Sequence, residues 1–164
     1  MKYVLIGKIV NTHGLKGEVR ILSSFKYKDR VFLQGMKVYV GKDKVCEEIN
    51  SYRHHKIFEM ITMCGYSNIN EILKYKGEYI FVNKEDIKLL ENEYLDEDIV
   101  GLNVIVDGNN IGVVRKIEDH NGNEILVVKN GDKNYLIPYN FDIILSINLV
   151  KKEMNVKNII GLFD

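Results

Sequence analysis

The 164-residue chain contains no tryptophan, no alanine, one proline and two cysteines, and its 23 basic side chains are balanced by 23 acidic ones. Each shortage removes a class of protein. With 21 isoleucines and 17 valines against 14 leucines and no alanine, the chain is rich in side chains branched at Cβ. Such side chains lose rotamer freedom in helices and pack well on pleated sheets, so an all-helical bundle is excluded. Cys46 and Cys64 form no C-x-x-C pair and have no His or Cys cluster at zinc spacing beside them, so they read as reduced thiols in strands, with no metal centre. No run of about 18 apolar residues exists, and the apolar stretch before Lys8 is too short for a signal peptide. A soluble, cytoplasmic protein is expected. Since domains run to roughly 100 to 200 residues, the length fits one ordinary domain or two small ones and excludes a large multidomain enzyme.

The neutral total conceals a division. Residues 1–90 carry 16 Lys and Arg against 10 Asp and Glu, a balance of +6, and residues 91–164 carry 7 against 13, a balance of −6. Opposed signs of this kind suggest a polyanionic partner for the first half and a basic or neutral one for the second.

What is present reads as short strands between turn residues. In the first half the pattern predicts strands over Tyr3 to Val10, Gly17 to Leu22, Met36 to Val40, Val45 to Tyr52, Ile57 to Met63 and Tyr79 to Val82, a spacing that suits a small barrel or sandwich. One helix is predicted at about Asn68 to Lys76, capped by Ser67 or Asn68 and stopped by Gly77, covering an open end of the barrel. Residues 84–98 hold seven acids and two lysines and interrupt the alternation, which places the domain boundary there. Strands resume at Leu102 to Val106, Ile111 to Glu118, Glu124 to Lys129, Tyr135 to Ile137, Ile143 to Ile147 and about Glu153 to Val156, with hairpin turns at Asp107-Gly108 and Asn130-Gly131-Asp132. The fold class expected is all-β, two small β-barrels joined by a short acidic linker: a first domain over 1–88, a linker over 89–96 and a second domain over 97–164.

The densest cluster of functional residue types is Gly7-Lys8-Ile9-Val10-Asn11-Thr12-His13-Gly14-Leu15-Lys16-Gly17-Glu18-Val19-Arg20. Its glycines and cations allow a tight connection whose amides approach phosphate, or simply turn a corner between strands. It lacks the G-x-x-x-x-G-K-[ST] pattern of a P-loop and no helix follows it. Taken as a whole, the run from Gly7 through His13-Gly14-Leu15-Lys16-Gly17-Glu18-Val19-Arg20 resembles the N-terminal signature of the bacterial ribosome maturation factor RimM family. Further along, Asp98-Ile99-Val100-Gly101-Leu102 with Val104, Ile111-Gly112 with Val114, Leu126-Val127-Val128, Leu136-Ile137-Pro138-Tyr139 and the closing Gly161-Leu162-Phe163-Asp164 resemble that family's C-terminal PRC-barrel.

The resemblance implies an elongation-factor-like first barrel, a PRC-barrel second, and a non-catalytic assembly chaperone rather than an enzyme. It implies as partners the precursor of the 30S subunit, the 16S rRNA whose processing and head assembly the family assists, and the head protein uS19. No cofactor is expected, and the default is a monomer. The family's signature maps onto Gly7, His13, Gly14, Lys16, Gly17, Glu18 and Arg20. Its docking element, an aromatic pair at the start of the second domain, corresponds to Tyr94 and Leu95, where the second aromatic is missing. In the helix, Asn70 and Ile72 replace the Arg and Ala common in the family.

The charge pattern supplies site candidates of its own. Residues 1–44 carry ten Lys and Arg and three acids, with Tyr3, Phe25, Tyr27, Phe32 and Tyr39 interleaved; lysines bind a phosphate backbone by counterion release and exposed rings stack on unpaired bases. The RNA- or ribosome-binding candidates are His13, Gly14, Lys16, Gly17, Arg20, Lys26, Lys28 and Arg30, with most of the aromatics assigned to the core. The protein-docking candidates are Tyr94, Leu95, Asp96, Asp98, Pro138 and Tyr139: the acids Glu91, Glu93, Asp96, Glu97 and Asp98 steer a basic ribosomal protein and Tyr94 and Leu95 anchor it, unless this stretch is only a solvated linker. Arg53-His54-His55-Lys56 reads as a basic turn, since adjacent strand residues face opposite ways and do not share a metal. Glu118-Asp119-His120 sits at a hairpin tip without the burial that tunes acid-base groups. Two other readings compete with the assembly factor. One is a flavin- or nucleotide-binding barrel enzyme using the His13 to Gly17 loop; the other is a PRC-barrel adaptor with no RNA role.

Overall fold

The computed structural model describes residues 1–163, and the chain divides into two compact units, 1–89 and from Leu90 onward. In the first unit six strands close into a barrel: β1 (Tyr3–His13), β2 (Glu18–Leu22), β3 (Lys37–Val40), β4 (Val45–His55), β5 (Phe58–Met63) and β6 (Tyr79–Asn83). The order round the ring is β1-β2-β5-β4-β3-β6, with β6 antiparallel to β1. Alternation explains the interior: Val4, Ile6, Ile9, Val19, Ile21, Val38, Val40, Ile49, Ile61, Met63, Ile80 and Val82 are buried, and full burial of each such side chain contributes about 2 kcal/mol. Ladder irregularities at Leu5/Gly7 and Ile9/Asn11 let β1 serve both neighbours. Gly7 is required at the first of them, because a Cβ there would lie 2.7 Å from Ile21 Cγ2 and 2.8 Å from the Leu22 carbonyl.

Two strands run further than the sequence suggests. β1 continues through Thr12 and His13, and β4 continues through Arg53, His54 and His55, leaving Lys56 and Ile57 as the turn. The expected basic turn at Arg53 to Lys56 is therefore mostly strand. Its polar residues satisfy the pairing pattern because the ladder needs only backbone groups, and their side chains project from the sheet. The predicted helix is α1 (Ile69–Ile72), continued by a 3-10 turn over Leu73–Tyr75. Asn68 caps it, its side chain accepting from the Glu71 amide at 3.2 Å while Glu71 accepts from the Asn68 amide. The helix buries Ile72 and Tyr75, and the Tyr75 and Tyr66 hydroxyls both donate to the Glu47 carboxylate.

The second unit begins with the short helix α2 (Asp96–Ile99) and then builds one six-stranded sheet from β7 (Asn103–Val106), β8 (Asn109–His120), β9 (Asn123–Asn130), β10 (Lys133–Pro138), β11 (Ile144–Asn148) and β12 (Glu153–Val156). Its order is β10-β9-β8-β7-β12-β11, and β7 and β12 run parallel, which joins the hairpin meander to the terminal pair. The curled sheet wraps a core of Ile99, Leu102, Val104, Val106, Val114, Leu126, Val128, Ile137, Ile144, Met154 and Val156. Asp107-Gly108 and Asn121-Gly122, all with positive φ, make the tight turns beside β8. At Gly112 a Cβ would meet the Lys129 carbonyl oxygen at 2.6 Å with φ at +145°, so two backbones cross there at a distance open only to glycine. Pro138 closes β10, an edge strand, where its missing N–H costs no ladder bond.

Candidate nucleic-acid interface

Strand alternation and ladder register decide which polar side chains of the first barrel meet. On β2, Val19 and Ile21 point inward, so Glu18 and Arg20 point out. Arg20 stands opposite Asn11 on β1 and Met60 on β5, and Arg53 on β4 stands opposite Met60 in turn. One outer face across four strands thus carries His13, Glu18, Arg20, Phe58, Arg53 and His55. The guanidinium of Arg20 lies over the Phe58 ring, 5.4 Å from its centroid, and one terminal nitrogen donates to His13 Nδ1 at 2.7 Å. An arginine is always a donor, so that contact requires His13 to be neutral with its proton on Nε2. The His13 and His55 rings lie 6.0 Å apart.

The charges on this face are arranged to leave donors outward. Arg53 makes a two-pronged bond to Glu18, at 2.7 and 2.9 Å, which holds the Glu18 carboxyl below its ordinary range and raises Arg53. Partial burial, reinforced by the positive charges of Arg53, Lys56 and Arg20, holds His55 below the usual imidazole value. Arg20 Nε is buried without a hydrogen-bond partner among the described residues. With Lys16 and Lys56 exposed in the flanking loops, the face offers guanidinium, ammonium and imidazole N–H groups, a set suited to phosphate oxygens, which only accept.

The signature glycines act through the backbone. Gly14, at φ +70°, turns the loop in open space, whereas Gly17 is buried at φ +90° with a built Cβ 3.2 Å from the Asn68 carbonyl oxygen. The loop is also tied to α1, since the Ile69 amide donates to the Leu15 carbonyl at 2.9 Å. Gly14 and Gly17 therefore shape the connection, and Gly17 has no surface to offer a ligand. Lys26, Lys28 and Arg30 lie on the β2–β3 connection and not on the four strands that carry the His13 face. Lys26 leans over Tyr27 at 5.8 Å, and Arg30 pairs with Asp29.

Arg53, His55 and Phe58 belong to this face although the sequence reading left them out. The signal was the run Arg53 to Lys56 at the end of an alternating strand; what it lacked was the identity of the strand across from it. The other face of the same hairpin takes His54, whose Nδ1 is 3.0 Å from the Glu59 carboxylate. Glu59 is only 2% exposed and also accepts from the Tyr52 hydroxyl at 2.7 Å. His54 and His55 thus serve different surroundings. Among the described residues no group of three or more His, Cys, Asp or Glu is placed to hold a metal ion, and no helix is long and apolar enough to cross a membrane.

In the second unit the docking candidates separate by burial. Leu95, at the start of α2, is 3% exposed, so the side chain expected to anchor a partner is buried, although it is not among the residues that form the apolar core of the sheet. Tyr94 packs half-buried against that core and stacks on Phe141 at 6.2 Å, and Tyr139 lies 6.2 Å from the same ring. Phe141 was not anticipated. On α2, Asp96 is exposed and Asp98 half-buried, and Pro138 is half-buried at the end of β10. Glu118 bridges Lys116 at 2.7 Å and His120 at 2.9 Å on an exposed strand, which lowers its carboxyl and leaves nothing resembling an acid-base site.

Comparison with known proteins adds independent information. A family model described as the RimM N-terminal domain matches residues 4–87, and one described as the RimM PRC barrel domain matches residues 96–160. A protein of Staphylococcus haemolyticus named ribosome maturation factor RimM is 40% identical over 98% of this chain and 99% of its own. One of the same name from an Exiguobacterium species is 38% identical over 100% of this chain and 98% of its own. A crystal structure from Pseudomonas aeruginosa, described as a 16S ribosomal RNA processing protein RimM, aligns with a TM-score of 0.48 and 26% identity over 96% of this chain and 98% of that one.

Proposed function

The chain belongs to the RimM family of ribosome maturation factors, and from that premise we propose that it is a non-catalytic assembly factor that binds the immature 30S head in the cytoplasm. Its first barrel holds 16S rRNA by the phosphate backbone. Its second unit docks the head protein uS19. The observation that carries the reading is the outer face of β1, β2, β5 and β4, where Arg20, Arg53, His13 and His55 present donors with one partnered carboxylate among them. A folded RNA displays phosphate oxygens over its surface, and binding them by counterion release is strong at low salt and reversible. On the second unit, the exposed carboxylates Asp96 and Glu97 of α2, which follows Tyr94 in the chain, and the ring group of Tyr94, Tyr139 and Phe141 suit a basic protein, with the aromatic rings as contact area and the acids steering approach.

The test is co-sedimentation of the full chain with immature small subunits across a salt series. Association is expected at low salt and lost steeply as salt rises. The double variant Lys16→Ala/Lys56→Ala, at exposed loop positions, is expected to reduce the salt slope by about 2. Absence of binding to any immature particle at low salt contradicts the assignment. Binding that neither salt nor the double variant alters favours a protein adaptor with no RNA role.

A further inference from the structure

A second outer face of the first barrel, formed by β1, β6 and β3, is aromatic. Leu5 and Tyr39 both stand opposite Phe81, and Lys8 stands opposite Tyr79, so these side chains share one side of the sheet. Tyr3 meets Tyr39 edge-on at 5.1 Å and Phe81 at 6.5 Å. The rings are not sealed: Tyr3 is 37% and Tyr79 50% exposed, with Leu5 also at 50%. Lysines cover their faces instead. Lys44 Nζ lies 4.2 Å from the Phe81 centroid and 5.6 Å from that of Tyr3, and Lys8 Nζ lies 5.3 Å from that of Tyr79.

Where β6 meets the β3–β4 turn, this face opens into a shallow hollow of about 180 Å³ lined by Gly41, Lys42, Lys44, Glu78, Tyr79 and Phe81. Gly41 makes the room for it. Its amide donates to the Tyr79 carbonyl at 2.8 Å, and a Cβ there would sit 2.9 Å from a Glu78 carboxylate oxygen. The Glu78 carboxylate makes no side-chain hydrogen bond or ion pair among the described residues. The hollow therefore combines ring faces, ammonium groups on flexible stems, and a carboxylate able to accept two parallel N–H bonds.

We propose that this hollow seats one unpaired nucleobase of a single-stranded RNA segment, stacked on Tyr79 and Phe81, with Lys8, Lys42 and Lys44 on the flanking phosphates and Glu78 reading the base edge. A lysine over a ring is easily exchanged for a base, because the cation moves to a phosphate while the ring gains a stacking partner of larger area. Guanine is the base favoured. Its ring N–H and exocyclic amino group lie side by side on the Watson–Crick edge and match a carboxylate, whereas uracil presents one N–H between two carbonyls that Glu78 repels. The inference rests on the rRNA-facing reading of the first barrel but uses a different face from the Arg20 cluster.

The experiment measures fluorescence anisotropy of the full chain with labelled oligo(U) and with the same strand carrying a central guanine, at about 50 mM salt where phosphate contacts are strong. The guanine strand is expected to bind more tightly. Tyr79→Ala is expected to weaken both strands about five- to tenfold and Tyr79→Phe to leave them unchanged, since the ring and not the hydroxyl stacks. Glu78→Gln is expected to erase the guanine preference without weakening oligo(U). Equal binding of the two strands by the native chain, native affinity in Tyr79→Ala, or no RNA binding with a basic protein captured through Tyr79, each overturns the proposal. Lys16→Ala/Lys56→Ala, on the other face, is expected to keep the guanine preference; loss of subunit binding in that variant alone bears on the broader reading and not on this one.

Discussion

Both units are built from six strands around an apolar interior, yet they display opposite chemistry. The first barrel carries cations and imidazoles on one outer face and lysine-covered rings on another. It also holds the one buried polar side chain among the described residues, that of Glu59, between Tyr52 and His54. The second unit has a wholly apolar core, a rim of aromatic rings at Tyr94, Tyr139 and Phe141, and carboxylates along α2. Interior packing asks only for apolar side chains of suitable volume at alternate positions. The outward positions are left unconstrained by the fold, and here one half places donors there and the other acids.

The sharpest contrast to break is at α2. Leu95→Ala is expected to destabilise the protein by about 2 to 4 kcal/mol through lost burial and an unfilled cavity, visible as a lowered melting temperature; a stable variant with impaired partner binding would instead return Leu95 to the surface. Next come the crowded glycines. Gly7→Ala and Gly112→Ala are each expected to cost about 1 to 3 kcal/mol by overpacking against backbone, the first loosening β1 and β2, the second β8 and β9. Equal loss of hydrogen-exchange protection in both units from either variant would erase the distinction.

The next effect is one of pH. Burial and the Glu59 hydrogen bond push the Tyr52 hydroxyl up to about 12, so folding favours its protonated form. Its contribution is complete below the unfolded value of about 10 and disappears as pH rises toward 12. Alkaline titration should therefore weaken the first barrel over that window, and Tyr52→Phe should flatten the slope there. The smallest effect is expected at Glu118→Gln on the second unit. That carboxylate is lowered only by exposed neighbours, Lys116 and His120, and surface pairs contribute little, so the melting temperature should not move.

Much of this was legible in the chain itself. Strand positions, the Asn68 cap, the Asp107-Gly108 turn and the family resemblance all follow from local patterns, because alternation, capping and positive φ are properties of a few adjacent residues. Ends of elements were less legible: β4 continues through Arg53, His54 and His55 because β5 pairs with it, and polar strand residues carry no sign of that partner. The Arg20 face was half visible. His13, Lys16 and Arg20 lie in one run, but Arg53 and His55 arrive from more than 30 residues away through the β2-β5-β4 register. Of the aromatics in residues 1–44, most of which are expected in the core, Phe32 and Tyr39 are buried and Tyr3 is 37% exposed, a difference that the sequence pattern does not mark.

The sequence by itself determined the all-β class, the opposed charges of the two halves and the family, since composition and short motifs carry these without reference to distant residues. Only the tertiary structure decided which outward side chains share a face, that Leu95 is buried and that Glu78 lines a hollow with Tyr79 and Phe81. Those outcomes depend on strand order and ladder register. A shift of one residue in either would send every side chain of a strand to the opposite face, and neither quantity is written in any local stretch of the chain.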